Sequence, residues 1–224
     1  MLTGFSPDLI LVLNLVGTFA FGISGGLAAV RKGLDVFGAV VLAAVVGLAG
    51  GVIRDVLIGI RPATLGDWRY LAAAGGAGLL TSLSHPVMDR IQRPIDTLDA
   101  AGLSLFCVTG AATALGHRLG TVEAIILGAT TGIGGGMVRD VLIREIPTVL
   151  RGGLYAIPAL IGAGIVVLAY REGDHSVVFP IVGAAVCFAI RMAGLHYDLG
   201  LPAAKELPES VDPRRLRSRE RRSK

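Results

Sequence analysis

The sequence predicts an all-α integral membrane protein of seven transmembrane helices, arranged as two inverted three-helix repeats plus a seventh helix. Long apolar stretches, a shortage of charge and a self-match at a spacing of 85 residues carry that expectation. Of 224 residues, 53% are hydrophobic and only 17% charged, with a mean hydropathy of +0.69. A soluble domain carries about 25% charged residues. The apolar stretches approach the ~20 helical residues that cross a hydrocarbon core, and they lack the alternation of barrel strands. The 32 glycines and the low aromatic content of 5% suit helices that approach one another closely in lipid.

Taken in order, the apolar segments lie near 9–30, 34–60, 68–84, 97–116, 119–146, 153–170 and 176–195. Polar punctuation separates them: Arg31-Lys32-Gly33, Arg61-Pro62, His85 to Arg93, Gly116-His117-Arg118, Ile146-Pro147 and Arg171 to His175. The chain therefore divides into an N-terminal segment 1–8, a first three-helix unit 9–84, a second unit 85–171, a seventh helix 176–195 and a basic tail 199–224, expected to be disordered. The first segment lacks a basic stretch before it, so it is expected to stay as a helix. Trp68, Tyr70 and Tyr170 read as interfacial anchors. The histidines fall at span ends, where solvation is the expected state, and Cys107 and Cys187 read as small core residues without metal-ligand spacing.

Loop charge predicts orientation. With the N-terminus outside, the inner loops and tail hold 14 basic residues: Arg31, Lys32, Arg90, Arg93, Arg144, Arg151, Lys205, Arg214, Arg215, Arg217, Arg219, Arg221, Arg222 and Lys224. The outer loops hold 4: Arg61, Arg69, Arg118 and Arg171. This bias predicts an inner or plasma membrane protein with its tail cytoplasmic. The tail also accounts for much of the net charge of +4, which then marks contact with anionic membrane lipids and implies no nucleic-acid partner.

Shifted by 85 residues, the chain matches itself without a gap: Gly17 falls on Gly102, Phe21 on Phe106, Gly25 on Gly110 and Gly47 on Gly132. The strongest stretch lays Gly50-Gly51-Val52-Ile53-Arg54-Asp55-Val56-Leu57-Ile58 over Gly135-Gly136-Met137-Val138-Arg139-Asp140-Val141-Leu142-Ile143. Pro62 falls on Pro147 and Tyr70 on Tyr155. Three spans per copy invert the second copy, an arrangement that sets a transport pathway where the copies meet.

Gly47, Gly50 and Gly51 on the second span match Gly132, Gly135 and Gly136 on the fifth, where Gly134 adds one more glycine. Two uses fit them: close helix packing, or a kinked helix that exposes carbonyls to a cation path. Arg54 and Arg139 lie about 10 Å from the midplane on opposite sides, where a charge needs a partner. Neighbouring helical residues diverge, so Arg54-Asp55 and Arg139-Asp140 are expected to find partners on other helices. Depth and register propose Asp99 for Arg139, with Asn14 in the weaker equivalent role opposite Arg54. Asp55 and Asp140 are then expected to face the pathway. The alternative is that these pairs only staple helices together. Ser24 and Thr109, equivalent in the two copies, either line a pore or bond back to their own helices.

The doubled Gly-Gly-x-x-Arg-Asp-Val-Leu, with Pro62 and Pro147 downstream and a three-plus-three-plus-one order of spans, resembles the bacterial trimeric intracellular cation (TRIC) channels, whose prokaryotic relatives are often labelled "glycine transporter" domain proteins. The resemblance covers residues 5–195 and implies a homotrimer with a pore in each protomer between kinked helices two and five. Such a pore conducts K⁺ and, less selectively, Na⁺, which are transient occupants; no metal site or cofactor is implied. The lysine-centred motif of the animal members is absent, with Val52-Ile53 and Met137-Val138 at that turn, so their regulation does not carry over. From sequence, a passive cation channel leads over a secondary transporter of a small solute such as glycine and over a membrane scaffold. Nothing points to an enzyme.

Overall fold

A computed structural model describes residues 5–83, 92–151 and 154–199. The basic tail beyond Leu199, His85 and Arg90 lie outside these residues, and so does the side chain of Arg93. The described residues form eight α-helices and no strand: α1 (Pro7–Arg31), α2 (Val36–Ile58), α3 (Ala63–Gly66), α4 (Trp68–Leu83), α5 (Gln92–Gly116), α6 (Thr121–Leu142), α7 (Ala156–Arg171) and α8 (Val178–His196). Seven of these correspond to the seven apolar segments. The eighth, α3, is a four-residue turn, and a 3-10 turn over Thr148–Leu150 takes the matching place later in the chain. Apolar periodicity gave no sign of either turn, because both are too short to carry a period. Among the described residues, five helices are long and apolar enough to cross a membrane: α1, α2, α5, α6 and α8. Helices α4 and α7 have 16 residues each, about 24 Å of rise against a core about 30 Å thick.

The caps explain where the helices start and stop. Pro7 opens α1 where a missing N–H goes unused, and the Asp35 carboxylate accepts the Gly38 N–H at 2.7 Å to open α2. Helix α2 ends at Gly59, whose φ of 81° suits glycine, with the Ile60 N–H closing back on the Asp55 carbonyl at 2.9 Å. Helix α6 ends the same way 85 residues on: Arg144 takes φ 59°, and the Glu145 N–H reaches the Asp140 carbonyl at 2.8 Å. Gly33 (φ 74°) and Arg118 (φ 61°) form a second such pair after α1 and α5.

Helices α1, α2 and α4 pack against one another, as do α5, α6 and α7. Contacts of α1 with α5 and of α2 with α6 join the two groups, and α8 lies on α5 and α7. At the centre the Phe21 and Phe106 rings sit 5.4 Å apart. Each fills space left by the other's partner glycine: a Cβ at Gly17 would meet the Phe106 ring at 2.8 Å, and one at Gly102 the Phe21 ring at 2.5 Å. Small-residue faces are consumed inside the chain too. Gly22 packs on Ala74 and Ala77, Gly26 on Thr81, and Gly78 on Ala43. Charge lies inside and apolar surface outside: Arg54, Asp55, Asp99, Arg139, Asp140 and Arg191 are buried, while Val12, Phe37, Leu57, Leu71 and Leu168 are exposed. That inversion of the soluble pattern is what a lipid solvent selects.

Candidate functional site

Two buried arginine–aspartate clusters lie at the C-terminal ends of α2 and α6, on opposite faces of the bundle. Phe5 and Pro7 at the start of α1 line a cavity with Arg54, Asp55, Gly116 and His117, which places the α2 cluster on the face carrying the N-terminal end of α1. The α6 end lies on the other face, where Glu145 meets Arg31 at 2.7 Å and Lys32 at 2.9 Å.

In the α6 cluster, Arg139 Nη1 donates to Asp99 Oδ1 at 2.6 Å and to Ser24 Oγ at 2.6 Å. Its Nε and Nη2 donate to Asp140 Oδ1 at 2.9 and 2.8 Å. The other oxygen of Asp140 accepts the Thr148 N–H at 2.8 Å and the Thr148 hydroxyl at 2.9 Å, anchoring the 3-10 turn after Pro147. The contact of Arg139 with Asp99 is the one that depth and register proposed. Ser24 belongs to this cluster as an acceptor for Arg139.

The α2 cluster repeats half of that arrangement. Arg54 Nε donates to Asp55 Oδ1 at 2.7 Å, and Asp55 Oδ2 accepts the Ala63 N–H at 2.8 Å, where α3 begins after Pro62. Asn14 lines the same cavity as Arg54, yet no hydrogen bond joins them among the described residues, and Arg54 Nη1 is buried without a partner. Thr109, the counterpart of Ser24, bonds back to its own helix at the Phe106 carbonyl, 3.4 Å away.

Three expectations are corrected here. Each arginine does grip its neighbouring aspartate, because the aspartate is turned toward the chain leaving the helix and a guanidinium on a long stem can fold back to it. Asp55 and Asp140 are not open carboxylates: they are 0% and 4% exposed and spend both oxygens on the arginine and the returning backbone. Tyr70 is no interfacial anchor; it is buried and lines the Arg54 cavity.

The glycines sit where α2 and α6 cross. Both helices run unbroken through them. A Cβ at Gly50 would strike the Thr131 carbonyl oxygen, and one at Gly135 would come within 2.9 Å of the Val46 carbonyl, its counterpart. A Cβ at Gly134 would meet Gly50 Cα at 3.2 Å, and one at Gly47 or Gly132 would press on the Thr18 or Leu103 carbonyl at 2.7 or 2.8 Å. Gly136 leaves room for the Tyr155 hydroxyl and Asp99, whereas Gly51 is crowded only by Thr64 Cγ2 at 3.3 Å.

Sequence reasoning missed Tyr155 and Arg191. Arg191 is buried, donates to the Leu154 carbonyl at 3.2 Å and lies 4.8 Å over the Tyr155 ring. The signal was present, since Arg191 is the one charge in the 176–195 stretch. The buried Tyr155 hydroxyl neighbours Asp99. No cluster of metal-ligating side chains occurs among the described residues.

Comparison with known proteins gives consistent matches. The sequence model of a family described as glycine transporter matches twice, over residues 11–86 and 96–171, again 85 residues apart. A UPF0126 membrane protein of Streptomyces coelicolor is 49% identical, covering 89% of this chain and 93% of its own. A UPF0126 inner membrane protein of Escherichia coli is 35% identical, covering 85% and 93%. Among solved structures, the TRIC trimeric intracellular cation channel orthologue from Rhodobacter sphaeroides superposes with a TM-score of 0.81 at 37% identity, over 85% of this chain and 98% of that one. A prokaryotic TRIC channel crystallised in 0.5 M KCl gives 0.80 at 34% identity, over 88% and 100%.

Proposed function

The chain is a multi-pass membrane protein of the bacterial TRIC channel family, and from that premise we propose that it is a K⁺-permeable monovalent cation channel with one pore in each protomer of a homotrimer. The observation that carries the reading is the superposition on TRIC channels over nearly the whole of their length. The pore runs between α2 and α6, seven helices span the membrane, and α1–α4 and α5–α7 are inverted copies of one unit. Reciprocal contacts support the inversion, since Gly17 meets Phe106 while Gly102 meets Phe21, and Gly50 meets residue 131 while Gly135 meets residue 46.

The close backbone crossing at Gly50 and Gly134–Gly135 is the constriction of this pore, and conduction requires α2 and α6 to part there. Glycine suits both states: it permits contact when closed and leaves no side chain to block the gap when open. Arg54 and Arg139 flank the constriction, each neutralised by aspartate so that a cation meets no bare positive charge. Potassium efflux from loaded proteoliposomes tests the reading. Wild type is expected to release K⁺ passively, and Gly51→Leu, at the least crowded of the repeated motif glycines, to slow release at least tenfold while remaining folded and assembled. Equal release by Gly51→Leu contradicts a path between α2 and α6.

A further inference from the structure

The two clusters differ in one respect that has chemical content. Arg139 is faced by two carboxylates, Asp140 and Asp99. Arg54 is faced by one, Asp55, because Asn14 stands 85 residues before Asp99 and brings no charge. The atom left over is specific: Arg139 Nη1 binds Asp99 Oδ1, whereas Arg54 Nη1 is buried and unpartnered. The Arg54 side chain is only 5% exposed, so water does not satisfy it freely, and an unpaired buried donor of a charged group is costly.

Beside Arg54 lies a cavity of 320 Å³, lined by Asn14, Arg54 and Asp55, by Thr113 and His117, and by apolar walls that include Phe5 and Leu11. We propose that this cavity binds a small monocarboxylate with a short apolar body, whose carboxylate takes at Arg54 the place that Asp99 holds at Arg139. Asp55 does not forbid it. Its oxygens are committed to Arg54 Nε and the Ala63 N–H, and the other cluster already seats a second carboxylate beside an equally committed Asp140. A charge-assisted bond at Nη1, like the one Asp99 makes at Arg139, recruits the carboxylate, and the apolar walls favour a carbon chain over a bare one-carbon acid. The inference stands apart from the channel reading, because it concerns binding and not conduction.

Equilibrium dialysis of radiolabelled butyrate against the full-length protein in detergent, at fixed ionic strength in sodium sulfate, tests it. Saturable binding of one butyrate per chain is expected, with acetate weaker by about fourfold for each methylene lost. Asn14→Asp supplies the missing carboxylate internally, so it should weaken butyrate binding at least tenfold while its unfolding temperature without butyrate equals or exceeds that of the wild type. Arg54→Lys keeps the charge but loses the Nη1 donor held beside Asp55, and should also bind at least tenfold more weakly. Absence of saturable binding overturns the proposal, as does displacement of butyrate by chloride at equal concentration. Undiminished binding in a folded Asn14→Asp protein overturns it as well.

Discussion

Arg139 makes four hydrogen bonds to three side chains from three helices, so removing either acid leaves buried guanidinium donors without a partner. Asp99→Ala should destabilise the protein by about 1–3 kcal/mol, since Asp140 still balances the charge. Asp140→Ala should do at least as much, because the Thr148 contacts go with it. Unfolding of purified variants in detergent measures both, and a milder Asp140→Ala contradicts the anchoring role. The exchange Asp99→Arg with Arg139→Asp should not rescue, since it sets a carboxylate beside Asp140. Sequence made the Asp99 contact legible, because depth from a span end is simple arithmetic. It hid the grip of Arg139 on Asp140 because the rule that neighbouring residues diverge concerns Cβ directions, and a guanidinium reaches past them. A second residue-scale test uses Arg118, held at φ 61° where its counterpart is Gly33. Arg118→Gly should raise stability by about 1 kcal/mol by removing left-handed strain, and a measured loss contradicts that reading.

Between elements, the crossing of α2 and α6 separates two adjacent glycines. Gly50→Ala forces the Thr131 backbone away and should destabilise by about 1–3 kcal/mol, as overpacking does. Gly51→Ala meets only Thr64 Cγ2 at 3.3 Å and should change stability by less than about 1 kcal/mol. Equal effects in thermal unfolding contradict the crossing. The sequence revealed that these glycines were paired across the copies but not which ones touch backbone, since that depends on rotation about the helix axis. A second link joins elements outside the membrane spans, where the hydrogen bond from Lys32, the charge of Arg31 and a bond from Arg31 hold the Glu145 carboxyl below its ordinary value. This tie contributes fully above the unfolded carboxyl range, about 4.3 for glutamate, and is lost as pH falls through the lowered folded value. The groups are partly exposed, so its worth is under about 1 kcal/mol. Glu145→Gln should flatten that acid limb of the stability profile, and an unchanged limb contradicts the link.

At the scale of the whole molecule, the all-α membrane class and the family were legible because hydropathy, loop charge and the 85-residue repeat survive without knowledge of any contact. The cavity beside Arg54 was not, since it arises from what Asn14 fails to supply. From the proposed channel, mass measurement in mild detergent should give a trimer, and from the loop charges, Ser223→Cys should resist an impermeant thiol reagent in intact cells. The measurement that bears most directly on the central claim is planar-bilayer recording of the purified protein in symmetric KCl. Discrete unitary K⁺ currents, carried less well by Na⁺, are the predicted result. Electrically silent membranes, from protein that takes up a small solute saturably in vesicles, would contradict a channel.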